Sequence, residues 1–346
     1  MDNINRLNIL VSEGILPRHE LVELISTFNE EEREYAAEKA RKITFSFFGK
    51  KIYSRGLLEI SNYCRNDCYY CGIRKSNCNA LRYRLTEDEI YSSCDWAYES
   101  GFRTFVLQGG EDQFYTDDLL SQIISKIKSK YGDCAITLSL GEKEKSSYQR
   151  LFDAGADRYL LRHETSCESH YSLLHPTALT LSERKRCLCD LKSIGFQTGC
   201  GIMVGSPFQT KENLADDLLF MKEFDPQMVG LGPFIPHNDT PFRDYPVGNV
   251  EGSLFMLSLV RIMLPRVLLP ATTALGTLKS DGREQGILAG ANVVMPNISP
   301  LDARKNYMLY DNKIGTSDDA LESLAYIKNK IKGIGYELVS ERGDYS

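Results

Sequence analysis

No stretch of this chain approaches the roughly twenty consecutive apolar residues that a bilayer crossing requires, so membrane-spanning helices are not expected. A basic block is missing too. The 41 Lys and Arg face 47 Asp and Glu, a formal charge of −6, which argues against nucleic acid or an anionic membrane as partner and for a small molecule or a protein. The ten cysteines (64, 68, 71, 78, 94, 134, 167, 187, 189 and 200) lack the regular pairing of a disulfide scaffold. The opening Met1-Asp2-Asn3-Ile4-Asn5-Arg6 has neither an apolar signal core nor the Arg-rich, acid-poor character of a transit peptide. The thiols are therefore expected to be reduced, in the cytoplasm.

Against these absences stands one dense motif, Cys64-Arg65-Asn66-Asp67-Cys68-Tyr69-Tyr70-Cys71, with the spacing C-x3-C-x2-C, directly after the strand-like run Leu57-Leu58-Glu59-Ile60. Three thiolates on one loop hold three corners of a 4Fe-4S cube and leave the fourth iron open, whereas a purely structural cluster is closed by four cysteines. An open iron predicts chemistry. In a radical S-adenosylmethionine (SAM) enzyme it is chelated by the amino and carboxylate groups of SAM, which is reductively cleaved to a 5'-deoxyadenosyl radical. Tyr70 would set an aromatic ring beside the adenine. A zinc site competes and could recruit Cys78, but structural zinc sites usually present paired knuckles and none follows Cys71.

At 346 residues the chain suits a single barrel of alternating strands and helices. The expected organisation is a helical extension over 1–48, a complete (βα)8 TIM-type barrel over 49–300, and a C-terminal extension over 301–346 that packs on the barrel. Strands are predicted at Leu57 to Ser61, Thr104 to Gln108, Ala135 to Leu140, Arg158 to Arg162, Thr198 to Val204, Met228 to Leu231, Val267 to Ala271 and Asn292 to Met295. Thr86 with Glu89 predicts a capped helix that stops at Gly101. The run Glu30 to Glu34 reads as a solvated helix start.

Parity along the strands points to a hollow interior. Arg158, Leu160, Arg162 and Glu164 share one face, and two arginines pointing into a barrel call for an anion or a wet cavity. Structural ion pairs at the rim are the alternative, a weaker one for Arg162 than for Arg158. Thr137, with Ala135, Ser139 and Gly141, forms a small polar face. Gln108 and Gly109 end a strand on the expected catalytic side and suit the SAM amino group. The glycine-rich strands around Gly201 and Leu231 suit an adenine-binding wall. Thr272 and Thr273 carry hydroxyls able to donate to a bound anion.

Taken together, these residues resemble one family, the E-type radical SAM maturase of FeFe-hydrogenase. The resemblance runs from about Ile60 to Lys313 and is carried by Arg-Tyr-Leu-Leu-Arg-His-Glu-Thr at 158–165, Gly-Pro-Phe-Ile-Pro-His at 232–237 and Pro-Ala-Thr-Thr-Ala-Leu-Gly-Thr at 270–277. It implies that Cys64, Cys68 and Cys71 bind one 4Fe-4S cluster and that Glu164 and Arg184 contact SAM. It further implies that Thr137, Arg158, Arg162, Thr272, Thr273, Met295, Tyr307 and Tyr310 line a cavity for substrate or anions. The implied substrate is a small iron complex with carbon monoxide, cyanide and cysteine, attacked at the cysteine sulfur by the adenosyl radical. The implied partners are other hydrogenase maturases and a reduced donor such as ferredoxin or flavodoxin.

Two departures stand out. Some members bind a second cluster near the C-terminus, but the last cysteine here is Cys200, so none is expected. Gly205-Ser206-Pro207-Phe208-Gln209 replaces the family's usual Gly-Leu-Pro-Gly-Gln. The rivals are a mutase of the methylornithine synthase type, a sulfur-inserting enzyme like biotin synthase, and a non-catalytic carrier of an iron-sulfur group.

Overall fold

In the strands, residues alternate between two faces, and the faces have different fates. Leu58 and Ile60, Phe105 and Leu107, Ile136 and Leu138 all join one large apolar core, while Leu57, Val106 and Thr137 are buried outside it. The first set packs against surrounding helices and the second faces the lumen, as expected of a barrel.

The computed structural model describes residues 1–316 and 320–345. Helices α1 (Asn3–Glu13), α2 (Arg18–Thr27) and α3 (Glu30–Phe48) precede β1 (Lys51–Ser54). Then come β2 (Gly56–Ser61), α4 (Glu87–Glu99), β3 (Thr104–Gly109), α5 (Asp117–Lys130), β4 (Ala135–Ser139), α6 (Lys145–Asp153) and β5 (Arg158–Leu160). The second half has α7 (Glu168–Leu174), α8 (Leu181–Ile194), β6 (Gln197–Val204), α9 (Lys211–Phe224), β7 (Met228–Pro233) and α10 (Val250–Met263). The chain continues through α11 (Thr273–Leu278), α12 (Gly282–Leu288), β8 (Val293–Val294), α13 (Leu301–Asn306), α14 (Ala320–Gly333) and β9 (Glu337–Val339).

Strands β2 to β7 form one continuous parallel sheet in chain order. Closure is made by single parallel bridges, Met228 to Leu268, Pro270 to Val293, and Leu57 to Asn297. The expected eighth-strand barrel is therefore present, with its seventh strand reduced because Pro270 has no N–H to give a ladder. Helix α4 starts with the expected capping box of Thr86 and Glu89. The N-terminal helices pack outside the barrel, with Phe28 stacked on Phe255 of α10 at 4.1 Å. Among the described residues no helix is long and apolar enough to cross a membrane.

A second sheet, ordered β8-β1-β9, lies at the strands' N-terminal ends. Behind β9 the chain turns into the barrel floor. Arg158, fully buried, donates through Nη2 to Asp344 Oδ1 at 2.5 Å and to the Arg342 carbonyl at 2.9 Å, and through Nη1 to Thr104 Oγ1 at 3.1 Å. Arg342 in turn pairs with Asp157 and Asp344. Burial pulls the Arg158 guanidinium below its ordinary pKa and Asp344 opposes this. Replacing Asp344 by Ala is expected to cost about 2 kcal/mol, below the value for a fully buried pair because the Asp344 side chain is 37% exposed. A urea titration checks this; an unchanged midpoint would show that the floor gains nothing from the pair.

Candidate active site

The cysteine motif leaves β2 at the strands' C-terminal end, and the loop that carries it is stapled rather than free. Arg82 donates to the carbonyls of Asn62, Ile73, Arg74 and Asn77, and the Asp67 carboxylate accepts from Arg74 Nε at 2.7 Å and from the Ser76 N–H at 3.0 Å. Gly110, after β3, presses against the same loop. A Cβ there would lie 2.1 Å from the Tyr63 carbonyl oxygen and 2.8 Å from the Cys64 Cβ. Gly110→Ala is therefore expected to displace the loop and lower iron incorporation several-fold with little loss of secondary structure. Iron and sulfide assay together with circular dichroism would test this.

Cys64, Cys68 and Cys71 are free thiols that line one cavity of about 300 Å³ in the mouth of the barrel. Burial raises all three thiol pKa values, that of Cys71 to about 12, so the apo loop carries protonated thiols and binding iron must release protons. Among the described residues no three Cys, His, Asp or Glu side chains are gathered closely enough to chelate one metal ion. A larger open groove of about 700 Å³ runs along the outer side of the loop, and none of the three cysteines lines it.

Gln108, Gly109, Tyr70, Arg162, Glu164, Arg184, Thr272, Tyr307 and Tyr310 line the same cavity as the cysteines. Glu164 has φ 63°, a left-handed conformation that costs a non-glycine residue about 1–3 kcal/mol, held by its N–H on the Gly201 carbonyl at 2.9 Å. Arg184 is fixed through Nε on Glu142 Oε1 and Nη1 on the Arg162 carbonyl, both at 2.6 Å. Tyr70 is oriented by His175. The Nδ1 of that histidine faces the Tyr171 carbonyl at 2.9 Å, so it must carry the proton, which leaves Nε2 to accept from the Tyr70 hydroxyl at 3.2 Å. Burial lowers the His175 pKa to about 3, in keeping with a neutral ring.

Several polar atoms at this cavity make no hydrogen bond among the described residues. Arg162 Nε and Nη2, Glu164 Oε2 and Thr272 Oγ1 are buried without a hydrogen bond among the described residues. Arg162 Nη2 does lie 3.0 Å from Glu164 Oε2, an ion pair at an angle too poor for a hydrogen bond. Orphaned donors and acceptors beside three thiols fit an iron-sulfur group with a zwitterionic, hydrogen-bonding ligand better than an apolar one.

Five residues expected at the cavity do not line it. Arg158 is committed to Asp344 in the floor. Thr137 faces the lumen between floor and cavity, in register with Arg158 and two residues below the cavity-lining Ser139. The Leu231 side chain joins the outer core, because on β7 it has the opposite parity to the cavity-lining Gly232; Pro233, Phe234, Ile235 and Met203 supply that wall instead. Met295 packs on Met228, Leu268 and Val293 beside Tyr345. Thr273 starts α11, and its carbonyl accepts from Thr277.

Sequence reasoning overlooked a buried ion pair at the rim. Glu59, on the lumen face of β2, accepts from Lys313 Nζ at 2.5 Å and from Asn297 Nδ2 at 2.8 Å, and Lys313 also donates to the Tyr307 carbonyl at 2.9 Å. This pins the segment that brings Tyr307 and Tyr310 over the cavity. The departure at Phe208 falls on backbone: it has φ 65°, which glycine adopts without steric cost.

With this geometry, the comparisons with known proteins are specific. The Radical SAM superfamily profile matches residues 58–221. The [FeFe] hydrogenase maturase subunit HydE of Thermotoga maritima is 47% identical over 287 residues, covering 83% of this chain and 80% of its own. The chain belongs to the HydE family of radical SAM enzymes. Membership implies a 4Fe-4S cluster and SAM as cofactors. The 3-methylornithine synthase of Methanosarcina acetivorans is more distant from this HydE-family chain, at 27% identity over 97% of it and 94% of the relative. The crystal structure of a methylornithine synthase superposes with a TM-score of 0.82 at 26% identity, covering 96% of this chain and 97% of that one.

Proposed function

We propose that this enzyme performs the maturase reaction, processing an iron complex with carbon monoxide, cyanide and cysteine for the diiron centre of an FeFe-hydrogenase. The observation that carries the proposal is the 47% identity to HydE, against 27% to 3-methylornithine synthase. One cluster held by Cys64, Cys68 and Cys71 would, together with SAM, supply 5'-deoxyadenosyl radical chemistry directed at the cysteine sulfur of the substrate.

The protein's own part is positioning and exclusion of water. Glu164 and the Gln108-Gly109 strand end would receive the SAM ammonium, and Arg184, held by Glu142, would pair with its carboxylate. Tyr70, Met203 and Phe234, which line the cavity, would supply the ring and apolar contacts for the adenine. Arg162 Nε and Thr272 Oγ1, without a hydrogen bond among the described residues, would donate to a carboxylate or cyanide of the substrate. Tyr307 and Tyr310 cover it. Arg158 holds the floor and serves the substrate only at a distance.

The test is anaerobic turnover of the reconstituted, reduced protein with SAM and either the synthetic iron complex or lysine. Consumption of the iron complex with stoichiometric use of SAM is the expected result. A methylated ornithine formed from lysine would replace the proposal with a mutase.

A further inference from the structure

Arg162 and Glu164 line the cavity, and the histidine between them points the other way, out of the barrel wall. His163 is fully buried there, its ring 4.7 Å from that of Phe220 on α9. Asp217, three residues earlier on the same helix, is equally buried, and its Oδ1 lies 3.7 Å from His163 Nε2. Among the described residues this is the only ion-pair contact of that carboxylate, and its Oδ2 makes no hydrogen bond. Burying a carboxylate with so few partners is costly, and an apolar side chain would pack the helix at less cost. Packing of α9 therefore does not account for Asp217.

The backbone around Glu164 does. The Thr165 N–H donates to the His163 carbonyl at 2.8 Å, which closes a three-residue turn with Glu164 at its centre and φ 63°, a rare and strained conformation. Such strain persists only where the surroundings over-determine it. Here the restraints come from outside the barrel. Asp217 Oδ1 accepts from the Ser166 N–H at 2.5 Å, just past the turn. His163 Nδ1 accepts from the Gly201 N–H at 3.3 Å, while the Gly201 carbonyl accepts from the Glu164 N–H at 2.9 Å, so both backbone groups of one β6 residue clasp the turn. With Nδ1 an acceptor, the ring proton of His163 sits on Nε2, toward Asp217. Lys185, next to Arg184 on α8, donates to the Ser166 carbonyl at 3.2 Å.

We propose that Asp217 and His163 are positioning residues for SAM: from the outer side of the barrel wall they lock the turn that aims Glu164 into the cavity. This rests on the reading that Glu164 receives SAM. Released from Asp217, the turn relaxes, the binding-competent shape becomes a minor one, and affinity for SAM falls in proportion to its population. Neither side chain lines the cavity, so the reaction at saturating SAM does not depend on them.

The test is calorimetric titration of the reconstituted holoenzyme with SAM, for Asp217→Ala, Asp217→Asn, Glu164→Gln and Leu214→Ala. The last removes a core side chain from the same helix. Asp217→Ala is expected to raise the dissociation constant about tenfold, as when the competent turn is populated about one time in ten, with 5'-deoxyadenosine formation at saturating SAM retained. Asp217→Asn keeps an acceptor for the Ser166 N–H and should recover most of the affinity. Leu214→Ala should lower the urea midpoint more than Asp217→Ala does, yet bind SAM as the unaltered protein does. In the SAM-free proteins, amide hydrogen exchange over residues 163–167 should quicken in Asp217→Ala and not in Leu214→Ala. Unchanged affinity in Asp217→Ala beside a weakened Glu164→Gln would overturn the proposal, as would an equal affinity loss from Leu214→Ala. Full affinity in Glu164→Gln would instead overturn the role of Glu164 toward SAM; hydrogen exchange then judges the grip on the turn, and unchanged protection in Asp217→Ala would refute it.

Discussion

The Cys68→Ala variant, reconstituted anaerobically with iron and sulfide, is expected to be nearly colourless and to make no 5'-deoxyadenosine above background. The three sulfurs act as a unit, since two cysteines leave a second iron without a protein ligand and the cluster loses its hold on the loop. Burial makes the effect sharper. With Cys71 raised to about 12 and Cys64 also pushed up by burial, the remaining thiols do not ionise for a weakly held metal. The fold should survive, because the loop is held by Arg82, Asp67 and Gly110 rather than by iron. Iron content, the charge-transfer absorbance and product formation should therefore vanish together while the circular dichroism spectrum stays the same. Full turnover in this variant would remove the basis for the cluster assignment.

Lys313→Ala is expected to be the most destabilising single change at the rim. It leaves the Glu59 carboxylate in the lumen wall with Asn297 as its remaining side-chain donor, and breaking a buried pair from one side costs about 3–5 kcal/mol. Burial already pushes the Glu59 pKa up, with Lys313 opposing it. Without the lysine, the folded state holds a proton on Glu59 at pH values where the unfolded chain has released it. Stability of the variant then falls as pH rises through the carboxylate range, so the deficit is largest near neutrality and shrinks in acid. Chemical denaturation at two pH values measures this, and Glu59→Gln added to Lys313→Ala should recover much of the loss. A deficit independent of pH and of Glu59 would show that Lys313 acts by packing alone.

Much of the site could be read from sequence because its signals are local. The cysteine spacing, the capping box at Thr86 and the shared parity of Arg162 and Glu164 each lie within a few residues. Parity also explains the error at Leu231: the glycines at 230 and 232 take the lumen face, and the residue between them must point outward. Long-range pairings were not legible in this way. Glu59 stands out as an acid inside an apolar strand, but nothing near it names Lys313, 254 residues away. Arg158 looked like an anion-binding residue because its carboxylate lies 186 residues downstream. The short strands β1 and β9, four and three residues long, carry no periodicity that could announce them.

That distant carboxylate has a kinetic consequence. The contacts of Arg55 with Gly343, Lys51 with Glu341 and Arg158 with Asp344 join segments 288, 290 and 186 residues apart, separations that raise contact order and delay their formation. Such late contacts add little to the folding transition state, so weakening them hastens opening more than it slows assembly. The base of this cylinder is its latch: loosening it shortens the lifetime of the finished molecule and leaves the speed of its making almost untouched.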